Sequence, residues 1–129
     1  MKDSQTGKKL LIVDDDKFLV NMYSAKFKSE GFEVETANNG QEALGKIRNG
    51  LQADGVVFDI VMPSMDGLEF LRVMKKENLL PNAASIALTN QSQPTDMEEA
   101  EKLGVKGYIV KASTIPSEVV EEVRKILKK

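Results

Sequence analysis

Hydrophobic residues along this chain come in short blocks, each ended by a polar or turn-forming residue. Leu10-Leu11-Ile12-Val13 is a continuous apolar run, β-branched at its end and stopped by Asp14-Asp15-Asp16. A short run without alternation is the pattern of a strand covered on both faces. Val56-Val57-Phe58 before Asp59 has the same form, as does Ala84-Ser85-Ile86-Ala87-Leu88 before Thr89. Lys106 to Val110, before Lys111, is a further block of this kind. Phe32-Glu33-Val34-Glu35-Thr36 alternates instead, which suits a more exposed strand.

Between these blocks the spacing changes to that of helices. Phe18, Leu19, Met22, Tyr23 and Phe27 recur on one helical face, with Gly31 in the stop position. Gln41 to Arg48 predicts a short helix between the turn Asn38-Asn39-Gly40 and Asn49-Gly50, and Gly45 weakens its interior. Leu68, Leu71, Val73 and Met74 mark a helix to about Glu77, opened by Asp66 and Glu69 as a capping box. Thr95 with Glu98 predicts a second capping box, for a helix that stops at Gly104. Pro116 suits the first turn of a final helix with Val119, Val120, Val123, Ile126 and Leu127 on its apolar side.

Five strands alternating with five helices over short connections predict a doubly wound α/β fold, a parallel sheet wrapped on both sides. Residues 1–7 are too polar for a signal peptide and read as a flexible tail ahead of one domain over 8–129. A chain of 129 residues falls at single-domain size.

Composition narrows the chemistry. There is no Cys and no His, which excludes disulfides, thiolate or imidazole metal sites and imidazole bases. Any bound metal must meet oxygen ligands, which favours Mg²⁺ or another hard divalent cation. Net charge is −2 with lysines scattered among acids, so neither nucleic acid nor an anionic membrane is expected as primary partner. Apolar runs of about four residues fall far short of the roughly 20 needed to span a bilayer.

In an open parallel sheet, ligands sit beyond the carboxyl ends of the strands, where strand order reverses. The strands here end in Asp14 and Asp15, in Asp59, in Thr89 and in Lys111, while the second ends in Ala37, as an outlying strand should in the order 2-1-3-4-5. Three carboxylates, a hydroxyl and an ammonium are therefore expected on one crest. Each alone has a bland explanation: Asp14 to Asp16 as helix caps, Asp59 and Thr89 as turn residues, Lys111 as a solvated lysine, Tyr108 as a half-buried strand aromatic. The set is what points to chemistry. Carboxylates that close stay ionised only if neutralised, and a hard cation does this. A cation, an ammonium and a hydroxyl together suit a phosphoryl group, with Asp59 as the nucleophile that becomes an acyl phosphate.

Leu-Ile-Val-Asp14-Asp15, Phe58-Asp59 with Met62-Pro63 and Met65-Asp66-Gly67-Leu68-Glu69, Leu88-Thr89, and Gly107-Tyr108-Ile109-Val110-Lys111 resemble the receiver domain of two-component response regulators. The resemblance covers essentially everything after residue 7 and implies a flavodoxin-like, chemotaxis-regulator-like fold in a cytoplasmic phosphoprotein. It implies that Asp59 accepts phosphate from a sensor histidine kinase or phosphotransfer protein. Asp14, Asp15, Asp59 and the backbone carbonyl of Val61 would hold Mg²⁺. Thr89 and Lys111 would contact the phosphoryl group. Tyr108 would report phosphorylation to the face of helix four, strand five and helix five, where a downstream protein or a second copy of the chain docks. Such a domain catalyses its own phosphorylation and dephosphorylation but is not otherwise an enzyme.

Three positions depart from the family's usual pattern. Ala112 stands where Pro commonly follows the Lys, so a trans Lys111–Ala112 bond is expected. Asn90 is larger than the usual residue after Thr89 and should slow small phosphodonors. Val61 and Gln91 occupy two positions tied to phosphate lifetime, and apolar Val61 implies a long-lived phosphoryl state. Two rivals stand beside this reading. A haloacid-dehalogenase-type phosphatase would use Asp14-Asp15-Asp16, but Phe18 replaces the Thr or Val of that motif and Asp59 is left idle. A receiver-like interaction module that is never phosphorylated is motivated by Ala112 and Asn90. Nucleotide or flavin binding is weaker, since no Gly-rich loop follows the first strand.

Overall fold

Each strand of the sheet places its odd and even residues in different cores, and this divides the molecule into two layers. The computed structural model describes residues 7–90, 93–111 and 114–128; the expectations for the first six residues, Gln91 and the Lys111–Ala112 bond fall outside these. The strands are β1 (Lys9–Val13), β2 (Glu33–Ala37), β3 (Gly55–Phe58), β4 (Ala84–Thr89) and β5 (Gly107–Val110), all parallel, in the order β2-β1-β3-β4-β5. Between them run α1 (Lys17–Ser29), α2 (Gly40–Arg48), α3 (Gly67–Lys76) and α4 (Pro94–Lys102), with α5 (Pro116–Lys128) last. This is the five-stranded, flavodoxin-like fold expected from the sequence.

Leu11, Val13, Val56, Phe58 and Ala87 pack with α2, α3 and α4 on one side of the sheet. Leu10, Ile12, Val57, Ile86, Leu88 and Ile109 pack with α1 and α5 on the other. The period-two alternation of side chains therefore serves both faces, which is why β1 and β3 read as unbroken apolar runs. The register sets Val13 beside both Ala37 and Phe58, so β2, β1 and β3 end level, while Phe58 pairs with Ala87 and Thr89 with Val110, so β4 and β5 run two residues further.

Helix starts are set by side-chain caps. Asp16 accepts from Leu19 N–H at 3.2 Å, Asn39 from Glu42 N–H at 2.7 Å and Asp66 from Glu69 N–H at 2.8 Å. Three details depart from the sequence reading. Phe18 is 75% exposed, because the cap at Asp16 starts α1 in a phase that buries Val20, Tyr23 and Phe27. The Asp66–Glu69 box is half made, since the Glu69 carboxylate turns to Arg72 at 3.3 Å. The Thr95–Glu98 box does not form: Pro94 occupies the first turn, where no N–H needs a partner, and Gln93 precedes it without a side-chain cap bond.

The elements are not held equally. α3 buries five residues, whereas α4 buries Ala100 alone, with an ion pair from Arg72 to Glu99 at 2.9 Å tying it to α3. Among the described residues, no helix is long and apolar enough to cross a membrane.

Candidate functional site

At the carboxyl ends of β1, β3, β4 and β5 the backbone ladder delivers four polar side chains to one cavity. Asp14 N–H donates to Ala37 O at 3.1 Å and Asp59 N–H to Val13 O at 3.0 Å, so both acids continue the ladder by one residue. They are 4% and 6% exposed, and Thr89 is 1% exposed. The cavity, about 260 Å³, is lined by Asp14, Asp15, Asp59, Val61, Thr89 and Lys111. Asn90 stands at its exposed rim.

Within it Lys111 Nζ lies 2.7 Å from Asp14 Oδ2 and 3.4 Å from Asp59 Oδ2. The remaining oxygens of these acids take backbone donors: Asp16 N–H to Asp14 Oδ1 at 3.0 Å, and Val61 N–H to Asp59 Oδ1 at 3.2 Å. Asp15 is exposed, and one oxygen each from Asp14, Asp15 and Asp59 lies within 4.8 Å of the others. Three oxygen donors this close, without nitrogen or sulfur, are the chemistry of a hard divalent cation.

Burial pushes the Asp59 carboxyl up, the Lys111 ammonium opposes this, and Asp14 adds to it. Burial alone would lower Lys111, but its hydrogen bond to Asp14 and the two negative charges more than offset that, leaving it raised. One ammonium thus answers to more than one carboxylate. The site carries excess negative charge that a cation would relieve.

Sequence reasoning brought Asp14, Asp15, Asp59, Thr89 and Lys111 to this crest, and the structure puts all of them around one cavity. Tyr108 lies beside it. Its hydroxyl is buried, and burial raises its pKa, with Asp96 at the start of α4 adding to the effect and the Gln93 backbone opposing it. The Val61 side chain is 66% exposed at the mouth.

Two residues were not read as part of the site. Gly67 N–H donates to Ile60 O at 2.8 Å, and a Cβ on Gly67 would stand 2.8 Å from Ile60 Cα and closer still to the Asp59 carbonyl oxygen. Gly67 is therefore what lets α3 begin against the loop that carries Asp59. The Asp-Gly pair was the visible signal, but it read only as a cap. Tyr23, 4% exposed, forms part of the floor beneath Asp14 and Asp59, and burial pushes its phenol up. It looked like one more residue of an apolar helical stripe.

A family model described as the response regulator receiver domain matches residues 10–124. Among curated relatives, the chemotaxis protein CheY of Thermotoga maritima is 39% identical over 123 residues, covering 95% of this chain and 99% of the relative. The transcriptional regulatory protein CpxR homolog of Haemophilus influenzae is 34% identical over 94% of this chain but 51% of its own length, so the chain spans about half of that regulator. Among solved structures, chemotaxis protein CheY4 of Vibrio cholerae superposes with a TM-score of 0.85 at 29% identity, over 94% of this chain and 99% of that one. Matched over nearly its whole length in sequence and in fold, and with an acidic pocket at the level where this fold gathers its strand ends, the chain belongs to the receiver domains of two-component and chemotaxis response regulators.

Proposed function

We propose that this chain is the phosphoacceptor of a two-component pathway and that Asp59 is the residue modified. Response regulators interact with histidine kinases and downstream partners, and receiver domains bind Mg²⁺ through an acidic cluster. The observation that carries the proposal is the meeting of Asp14, Asp15 and Asp59 within 4.8 Å, with Lys111 across from them.

An Asp59 carboxylate oxygen attacks the phosphorus of a phosphohistidine on the donor. The O–P bond forms as the N–P bond breaks, and the departing imidazole keeps the bonding pair and takes a proton from solvent. Asp14, Asp15, Asp59 and the Val61 carbonyl would hold Mg²⁺, which supplies positive charge against the phosphoryl oxygens when bound. Thr89 offers a hydroxyl donor, and Lys111 an ammonium, to the same oxygens. Tyr108, between the cavity and α4, passes the change to α4, β5 and α5, and the reaction takes place in the cytoplasm. The protein is catalyst and substrate at once.

Intact mass after incubation with acetyl phosphate and Mg²⁺ tests this. A species heavier by about 80 Da, the size of one phosphoryl group, is expected, and it should vanish with a chelator. Its failure to appear at any donor concentration would end the proposal.

Lys111 occupies Asp14 in the structure at 2.7 Å, so a cation must compete with the ammonium for that carboxylate. Lys111→Met should bind Mg²⁺ or Mn²⁺ roughly tenfold more tightly by calorimetry, since one like charge is removed at close range. Equal or weaker binding would show that the two do not compete.

Asn90→Ala should open the rim and speed phosphorylation by acetyl phosphate several-fold, read as the rate of mass gain. An unchanged rate would remove Asn90 as a barrier.

A further inference from the structure

The foot of the sheet, at the opposite end of the strands from Asp59, holds a groove that the site chemistry does not use. It measures about 1040 Å³ and runs between the last turn of α5 and the loop that leads into β4. Glycine at the start of two strands brings α5 down onto this end. A Cβ on Gly107 would lie 2.6 Å from Ile126 Cδ1, and one on Gly55 would lie 3.2 Å from Leu127 Cδ2. Ile126 and Leu127 therefore rest directly on the feet of β5 and β3. Both are only partly buried, and with Ala83 and Ala84 they give the groove an apolar floor.

The rim of this floor is basic. Lys8, Lys106, Lys125 and Lys128 line the groove against Asp54 and Glu122. Lys125 and Lys128 fall in the last turn of α5, where they complement its dipole. Lys8 and Lys106 each precede a strand, and a strand start asks for no such charge. Lys106, Lys125 and Lys128 are exposed and in no ion pair among the described residues. Asp54 is already engaged, its Oδ2 accepting from Lys9 N–H at 2.9 Å. Four ammoniums thus surround the floor with two carboxylates to answer them.

We propose that this groove docks an acidic amphipathic segment of another protein. Its carboxylates meet the lysine rim, and its apolar side covers Ile126 and Leu127. A flat anionic bilayer would reach the exposed lysines but not the apolar residues recessed between them. Docking here does not depend on the signal. The strand path from Gly55 to Asp59 spans about 13 Å. Charge added at Asp59 therefore lies beyond the screening length of about 8 Å at physiological salt. The proposal is separate from the phosphoacceptor reading and stands or falls without it.

The test titrates the full, unphosphorylated chain with three fluorescent peptides, one of Glu and Leu, one of Lys and Leu, and one of Glu and Ser. The titration is repeated with Mg²⁺ and acetyl phosphate, and intact mass on those samples reports phosphoryl occupancy. The Glu and Leu peptide should bind at least about tenfold more tightly than either of the others and weaken with added salt. It should shift amide resonances of residues 81–84, 106 and 122–128, and its affinity should change by less than about twofold on phosphorylation. Lys106→Glu with Lys125→Glu, two exposed positions far from Asp59, should lose about tenfold in peptide affinity with phosphoryl uptake unchanged. Equal binding of the three peptides, shifts confined to other parts of the chain, or an affinity that rises severalfold with phosphoryl occupancy would overturn the proposal. So would retention on phosphatidylserine vesicles without binding of the Glu and Leu peptide.

Discussion

Exchange of Asp59 for Asn is expected to abolish phosphoryl uptake and, in the absence of divalent cations, to make the protein more stable. Asn keeps the shape of the side chain and an oxygen that can accept from Val61 N–H, which lies 3.2 Å from Asp59 Oδ1. It removes a charge whose pKa is raised, first by burial and then by Asp14, with Lys111 opposing. Lys111 keeps its shorter contact to Asp14, so no buried ammonium is stranded. A gain of roughly 1–2 kcal/mol, or several degrees in melting midpoint, is expected at neutral pH.

The sign follows from linkage. An acid whose folded pKa lies above its unfolded value of about 4 binds its proton more tightly in the folded state. Its contribution is therefore zero below that pH, becomes unfavourable up to the folded pKa, and is constant beyond it. The advantage of Asp59→Asn should vanish near pH 4 and reach its full size at neutral pH, measured by urea unfolding with a chelator present. Saturating Mg²⁺ should narrow or reverse the difference, because only the wild type retains the full ligand set. A variant less stable than wild type at pH 7 without metal would contradict the electrostatic account.

Gly67→Ala should be the most damaging of single-methyl additions. The new Cβ meets backbone of the loop after β3, at 2.8 Å from Ile60 Cα and nearer to the Asp59 carbonyl oxygen, together with the Phe58 side chain of β3 at 2.8 Å from its Cδ2. A flexible side chain could give way, as Ile126 could for a Cβ on Gly107, but backbone cannot. A loss of about 3 kcal/mol is expected from denaturant unfolding. In the fraction that folds, Asp59 moves with its loop, so the phosphorylation rate should fall by about a hundredfold. Near-wild-type stability would mean that α3 can slide away from β3 without penalty.

The strand pattern and the crest residues were legible because a parallel strand has a direction, and whatever follows its last apolar residue must emerge at one edge. Asp14, Asp59, Thr89 and Lys111 needed no further information. Phe18 misled because two residues decide the phase of α1: the cap at Asp16 and the burial of Val20 outweigh the apolar character of Phe18. Glu98 could not complete a box once Pro94 had taken the first turn. The preference of Lys111 for Asp14 over Asp59 depends on distances across four strands, and no local spacing encodes it.

The single buried alanine of α4 has a mechanical meaning. One methyl amounts to roughly 0.8 kcal/mol of hydrophobic anchoring, close to thermal energy, whereas α3 is pinned by Leu68, Phe70, Leu71 and Met74. Stiffness in this molecule is therefore unevenly shared: most of the scaffold resists displacement, and one helix next to Tyr108 yields to a small push.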